Sequence, residues 1–71
     1  MNNGVREHDL IVRRGNGGFE IWQQGLDDRQ VRRHKAVRRD EAIALAIGLA
    51  EAEGCDAWLQ LGPTTFELLS L

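Results

Sequence analysis

The strongest chemical character in this sequence belongs to the basic segment, residues 29–39. It reads Arg-Gln-Val-Arg-Arg-His-Lys-Ala-Val-Arg-Arg and holds six of the nine basic residues of the chain and no acid. Arginine and lysine at this density can bind phosphate groups, and arginine can do so with two parallel hydrogen bonds. The basic segment is therefore the candidate site for an anionic partner. The alternative is a folded protein that balances its own charges, since the rest of the chain carries eleven acids.

The residues that most often catalyse reactions are few and scattered. His8 and His34 are the only histidines, Cys55 is the only cysteine, and none of them neighbours a partner in a recognisable catalytic arrangement. One cysteine and two distant histidines also lack metal-ligand spacing. We therefore expect no catalytic, cofactor-binding or metal-binding residues, no cofactor, and a protein that is not an enzyme.

A glycine-rich run, residues 15–18, could be read as a phosphate-binding loop. It lacks the Lys-Ser/Thr ending of such loops, and a strand rather than a helix follows it. Because glycine and asparagine tolerate positive φ, the run is typical of a β-hairpin turn.

Length and composition predict one small domain over residues 1–71, with residues 1–6 disordered. A core this small often needs a partner subunit, so we expect a homodimer. A lone cysteine is typical of a reducing compartment, and no apolar run approaches the roughly 20 residues that span a bilayer. The sequence thus predicts a cytoplasmic protein that does not contact a membrane.

The order of elements predicts an α+β fold. Alternating apolar residues indicate strands at 8–13, 19–24, 29–37 and 56–61, and a helix is expected over Arg39–Glu53. The basic residues of the third strand are typical of a sheet edge, where charge blocks unwanted strand pairing. Residues 64–71 are compatible with a last strand or a short helix. The composite is an antiparallel sheet of four to five strands (β-β-β-α-β-β) with one helix on one face.

The predicted helix has small apolar residues around half of its circumference or more. That arc is wider than the stripe that contact with one sheet requires. The extra width is a second indication of a partner subunit. Members of the arc are Ala42, Ile43, Leu45, Ala46, Ile47, Leu49 and Ala50.

Three short motifs resemble a family of small uncharacterised bacterial domains. They are the turn Asn16-Gly17-Gly18-Phe19, the helix start Asp40-Glu41-Ala42 and the helix exit Glu53-Gly54-Cys55-Asp56. The resemblance covers roughly residues 8–70 and implies the same fold, without an activity. Arg38 stands where that family has a capping Thr or Ser. A looser likeness is to antitoxins with a partial RNase-H-like fold, and it implies a protein that neutralises a small toxin.

The second sheet face, if it is open, is a candidate binding surface together with the basic segment. Trp22 and Trp58 are expected on that face, near the basic segment, and both Trp and Arg are common at protein interfaces. We expect a non-enzymatic interaction module that homodimerises or binds an unknown protein partner. The alternative is nucleic acid, with the tryptophans stacking on bases, although the acidic pI of about 5.6 opposes it. The predicted surface comprises Trp22, Trp58, Arg32, Arg33, Lys35, Arg38 and Arg39.

Overall fold

The computed structural model describes residues 4–69, which form five strands and one α-helix. A single turn of 3₁₀-helix, Leu26–Asp28, connects the second and third strands. The predicted α+β fold is confirmed. The elements in chain order are β1 (Leu10–Gly15), β2 (Gly18–Gln24), β3 (Gln30–Ala36), α1 (Arg39–Glu53), β4 (Ala57–Gln60) and β5 (Phe66–Leu68).

The strands form one sheet in the order β3-β2-β1-β4-β5. Three neighbouring pairs are antiparallel, whereas β1 and β4 are parallel. The sheet is therefore mixed and mostly antiparallel. The parallel pair arises because α1 carries the chain across one sheet face from the edge strand β3 to the far side of β1. The predicted edge position of the third strand is confirmed.

The turn between β1 and β2 depends on glycine. Gly17 has φ 76° and Gly18 has φ 156°, backbone angles that residues other than glycine rarely adopt. A Cβ atom on Gly18 would also collide with the backbone carbonyl oxygen of Ala36. Gly18 is thus needed both for the hairpin turn and for the close approach to the end of β3.

Helix α1 lies close to the sheet because its contact stripe is alanine. Ala42, Ala46 and Ala50, spaced four residues apart, are its buried residues. They pack on side chains of the three central strands, and together these form the core: Leu10, Val12, Ile21, Ala57 and Leu59. Acidic residues occupy the first turn, and Gly54 ends the helix with φ 71°. Both helix ends lie where the sequence predicts them.

The C-terminal segment continues the sheet. Strand β5 pairs antiparallel with β4, with Trp58 opposite Leu68 and Gln60 opposite Phe66. Of the two alternatives for residues 64–71, the structure therefore shows the strand, and residues 70 and 71 lie outside the described residues. No helix within residues 4–69 combines the length and the apolar character needed to cross a membrane.

Candidate interaction surface

Both tryptophans lie on the sheet face opposite α1. Ile11 of β1 is paired with Trp22 of β2 on one side and with Trp58 of β4 on the other. These three residues form a row across the sheet, with Ile11 fully buried at its centre. The tryptophans are half-buried, so the second face carries a small apolar layer of its own.

Trp22 is held by charged groups of its own chain. Its indole Nε1 donates to Glu20 Oε1 over 2.9 Å, and the Arg13 guanidinium lies 4.1 Å from the ring centroid. That distance is typical of a cation–π contact. The hydrogen bond from Trp22, with the nearby charges of Arg32 and Lys35, lowers the pKa of Glu20. One face of the Trp22 ring is therefore already occupied by a cation.

Trp58 is held by a buried carboxylate. Its Nε1 donates to Asp9 Oδ2 over 2.9 Å, and the backbone N–H groups of Arg6 and Asp56 donate to the same carboxylate. Asp9 is only 3% exposed. Three donors on one buried carboxylate offset the cost of removing its charge from water.

The N-terminal segment, residues 4–9, covers the Trp58 end of this face. Val5 is 2% exposed, and a Cβ atom on Gly4 would lie 3.0 Å from Trp58 Cη2. The sequence predicts disorder over residues 1–6. Residues 1–3 lie outside the described residues, whereas Val5 is packed. In the sequence, a single valine in a polar stretch and an aspartate directly before β1 are the features that indicate this packing.

A β-bulge rearranges the cations of β3. Arg32 lies opposite Trp22 and Lys35 lies opposite Glu20, with the irregularity between them. Both residues therefore share the face opposite α1, where Arg32 Nη1 is 3.3 Å from Glu20 Oε2. Strict alternation along the strand predicts opposite faces for these two residues. That prediction is wrong because the bulge inserts one residue, Arg33, into the pairing.

Arg33 points to the helix side of the sheet. Its guanidinium forms a two-bond fork with Glu53, with Nη2 2.9 Å from Oε2, and Nη1 also donates to Gln23 over 2.8 Å. The hydrogen bond to Arg33 lowers the pKa of Glu53, and the same bond raises the pKa of Arg33. This ion pair ties β3 to the last turn of α1.

Arg38 and Arg39 stand apart from both groups. Arg38 directly precedes α1 and Arg39 is its first residue, and both are exposed. Arg39 lines a groove at the end of the sheet together with Arg14 and Phe19. The seven residues predicted as one surface are therefore divided among the second sheet face, the Arg33–Glu53 contact and the start of the helix.

Although the side chains of the basic segment are divided among several surfaces, its backbone along β3 forms one continuous edge. Strand β3 pairs only with β2 among the described strands, so the outer side of its seven residues is a sheet edge. The opposite edge, β5, has three residues and one charged side chain, Glu67. The long edge is cationic and the short edge is not.

The residues considered for catalysis remain separate. His8 is exposed, with its Nε2 atom 3.5 Å from Glu7 Oε2, and Cys55 is half-buried just after the end of α1. Burial, followed by the negative charges of Asp9 and Glu53, raises the pKa of the Cys55 thiol, so it stays protonated at neutral pH. Among the side chains that the structure describes, no three of His, Cys, Asp or Glu are grouped to hold a metal ion.

Comparison of the chain with family models, with curated proteins and with solved structures finds no match. The function therefore has to be argued from the surfaces of this molecule.

Proposed function

We propose that the protein is a non-enzymatic protein-binding module that adds an extended, acidic segment of its partner to the β3 edge. The observation that carries the proposal is the unpaired outer side of a seven-residue cationic edge strand. An exposed edge presents N–H and C=O groups that another strand can pair with. Main-chain hydrogen bonds would supply affinity, and side chains would supply selectivity.

The cations of β3 favour an acidic partner on both faces of the added strand. Arg32 and Lys35 lie on the face opposite α1, and Arg33 lies on the helix side. Lys35 is exposed and forms no ion pair with the described residues. Opposite charges directly across a strand pair stabilise the pairing, whereas like charges destabilise it. A segment with Glu or Asp at alternate positions would place all its carboxylates on one face, where Arg32 and Lys35 supply two of the three cations.

The same charges oppose pairing of β3 with β3 of a second copy. Arg32, Arg33 and Lys35 of one copy would face the same cations of the other. Homodimerisation stays a prediction, and it would need a surface other than this edge. An antitoxin role would require a small toxin whose contact segment is acidic.

The structure supports nucleic-acid binding less well. Two arginines of the basic segment are paired with carboxylates on opposite sheet faces. The Trp22 ring carries Arg13, and Trp58 lies against Gly4. Stacking of bases would have to displace these contacts, and the cations do not line one continuous groove.

A labelled peptide tests the proposal. The probe is a ten-residue peptide of alternating Glu and Val, and its control is the same peptide with two internal valines replaced by proline. Proline removes the N–H groups that a strand needs, while the charge is kept. We expect fluorescence anisotropy to show at least fivefold tighter binding of the proline-free peptide. Equal affinities would mean charge attraction without strand addition and would contradict the proposal.

Two charge reversals test the location. Lys35→Glu should weaken peptide binding at least fivefold, because it places a like charge on the β3 edge. Arg6→Glu changes the net charge equally but lies outside the sheet, so we expect less than a twofold effect. Equal losses in both variants would contradict a site at β3. Sedimentation of the unliganded protein at high micromolar concentration would test the predicted homodimer in the same samples.

A further inference from the structure

A groove at the end of the sheet where β1 and β4 finish is distinct from the β3 edge. It has a volume of about 340 Å³ and brings together the end of β1, the start of β2, the start of α1 and the end of β4. Its lining residues are Arg14, Phe19, Arg39, Leu59, Gln60 and Leu61. Residues far apart in the chain therefore form one small concave surface.

Two arginines in this groove have no carboxylate partner. Neither Arg14 nor Arg39 forms an ion pair with a side chain of the described residues. The Arg14 guanidinium lies 5.8 Å from the centroid of the Phe19 ring. Arg32 and Arg33, by contrast, are both paired with glutamates. The groove thus has two positive charges that no described carboxylate neutralises.

The rest of the lining is mostly apolar. Phe19, Leu59 and Leu61 supply an aromatic ring and two aliphatic side chains. Gln60 alternates with Leu59 along β4, so its side chain belongs to the opposite sheet face, where its Nε2 donates to the carbonyl oxygen of Gly62. A flat, largely apolar group would complement this lining.

We propose that the groove binds a phosphate monoester that carries a flat ring, as a mononucleotide does. A phosphate monoester has a charge of about −1.5 to −2 at neutral pH, which matches two guanidinium groups better than a single carboxylate does. Arginine binds phosphate with paired hydrogen bonds. The volume is near the lower end for ligand sites, so it accommodates one small molecule rather than a polymer.

An NMR titration with three probes tests the ligand chemistry. Adenosine 5′-monophosphate, adenosine and inorganic phosphate are added separately, and the methyl signals of Leu59 and Leu61 are followed. We expect the nucleotide to bind at least tenfold more tightly than either part, because only the nucleotide uses both the arginines and the apolar lining. Equal affinities of nucleotide and inorganic phosphate, or shifts outside the groove, would overturn the proposal.

Matched variants locate the site. Arg14→Ala and Arg39→Ala should each weaken nucleotide binding at least tenfold. Arg14→Lys should weaken it less, because the positive charge is kept. Arg29→Ala removes the same charge from an exposed position outside the groove and should change binding less than twofold. Equal effects of Arg29→Ala and Arg14→Ala would mean general charge attraction and overturn the site. A single-stranded oligonucleotide that binds more than a hundredfold more tightly than the nucleotide would overturn the small-molecule assignment in favour of nucleic acid.

Discussion

The two faces of the sheet are buried by different means. On one face, a helix with an alanine stripe covers Leu10, Val12 and Ile21, each fully buried. On the other, Ile11 is equally buried between two tryptophans, and the N-terminal segment lies against Trp58. The comparison shows that the tryptophans serve the fold. The longer of the two unpaired sheet edges is β3.

The helix-covered face should respond most strongly to truncation. Leu10→Ala removes a fully buried side chain beneath α1, and we expect a loss of about 2–5 kcal/mol in the free energy of unfolding. Urea denaturation followed by circular dichroism measures this loss. A loss below about 1 kcal/mol would mean that α1 does not pack on Leu10 as described.

The second face should behave as a core despite having no helix. Ile11→Ala should also destabilise by about 2–4 kcal/mol, since the side chain is fully buried. If the N-terminal segment contributes to this burial, Val5→Ser should couple to Ile11→Ala by at least about 0.5 kcal/mol in a double-mutant cycle. Additive effects would show that residues 4–9 cover the tryptophans without supporting Ile11.

Trp58→Phe should lower the free energy of unfolding less than Leu10→Ala or Ile11→Ala does. The ring remains apolar, but the N–H donor to the buried Asp9 carboxylate is lost. A hydrogen bond to a charged group contributes about 1.5–3 kcal/mol, and two backbone donors to Asp9 remain. We expect about 1–2 kcal/mol by denaturation. The same loss in an Asp9→Asn background would show that the indole N–H does not act through this carboxylate.

The smallest expected effect is on the decrease in folding stability at acidic pH. The pKa of Glu53 is lowered in the folded protein by its hydrogen bond to Arg33, and that of Glu20 is lowered first by Trp22. Their contribution is complete above the ordinary glutamate pKa of 4.5 and is lost as the pH falls through the lower folded values. Glu53→Gln should therefore flatten the decline in stability between about pH 5 and 3, as measured by thermal unfolding. An unchanged decline would contradict the ion pair.

Much of the fold is predictable because its signals are local. Acidic residues in the first turn and Gly54 after the last turn delimit α1, and the glycine-rich run marks the hairpin. The parallel pairing of β1 with β4 is not local, because it depends on which side of β1 the chain rejoins after the helix. The bulge at Arg33 is likewise invisible to strict alternation, and it alone brings Arg32 and Lys35 to one face.

The predicted surface was harder to obtain from sequence. Its cations are adjacent in the chain, but Glu20 and Glu53, which pair with two of them, are distant in sequence from their partners. Arg14, which joins Arg39 in the groove, lies outside the basic segment altogether. The density of charge along the chain therefore identifies the cationic side chains. Which of them lack an ion-pair partner becomes clear only when the positions of the carboxylates in the fold are known.

Amide hydrogen exchange with and without the Glu-Val peptide tests the central claim most directly. Strand addition at β3 would slow exchange at alternate residues of Gln30–Ala36, those whose N–H groups point away from β2, and would leave Phe66–Leu68 unchanged. Peptide binding without new protection in β3, or with protection at β5, would contradict the proposal that this edge is the binding element.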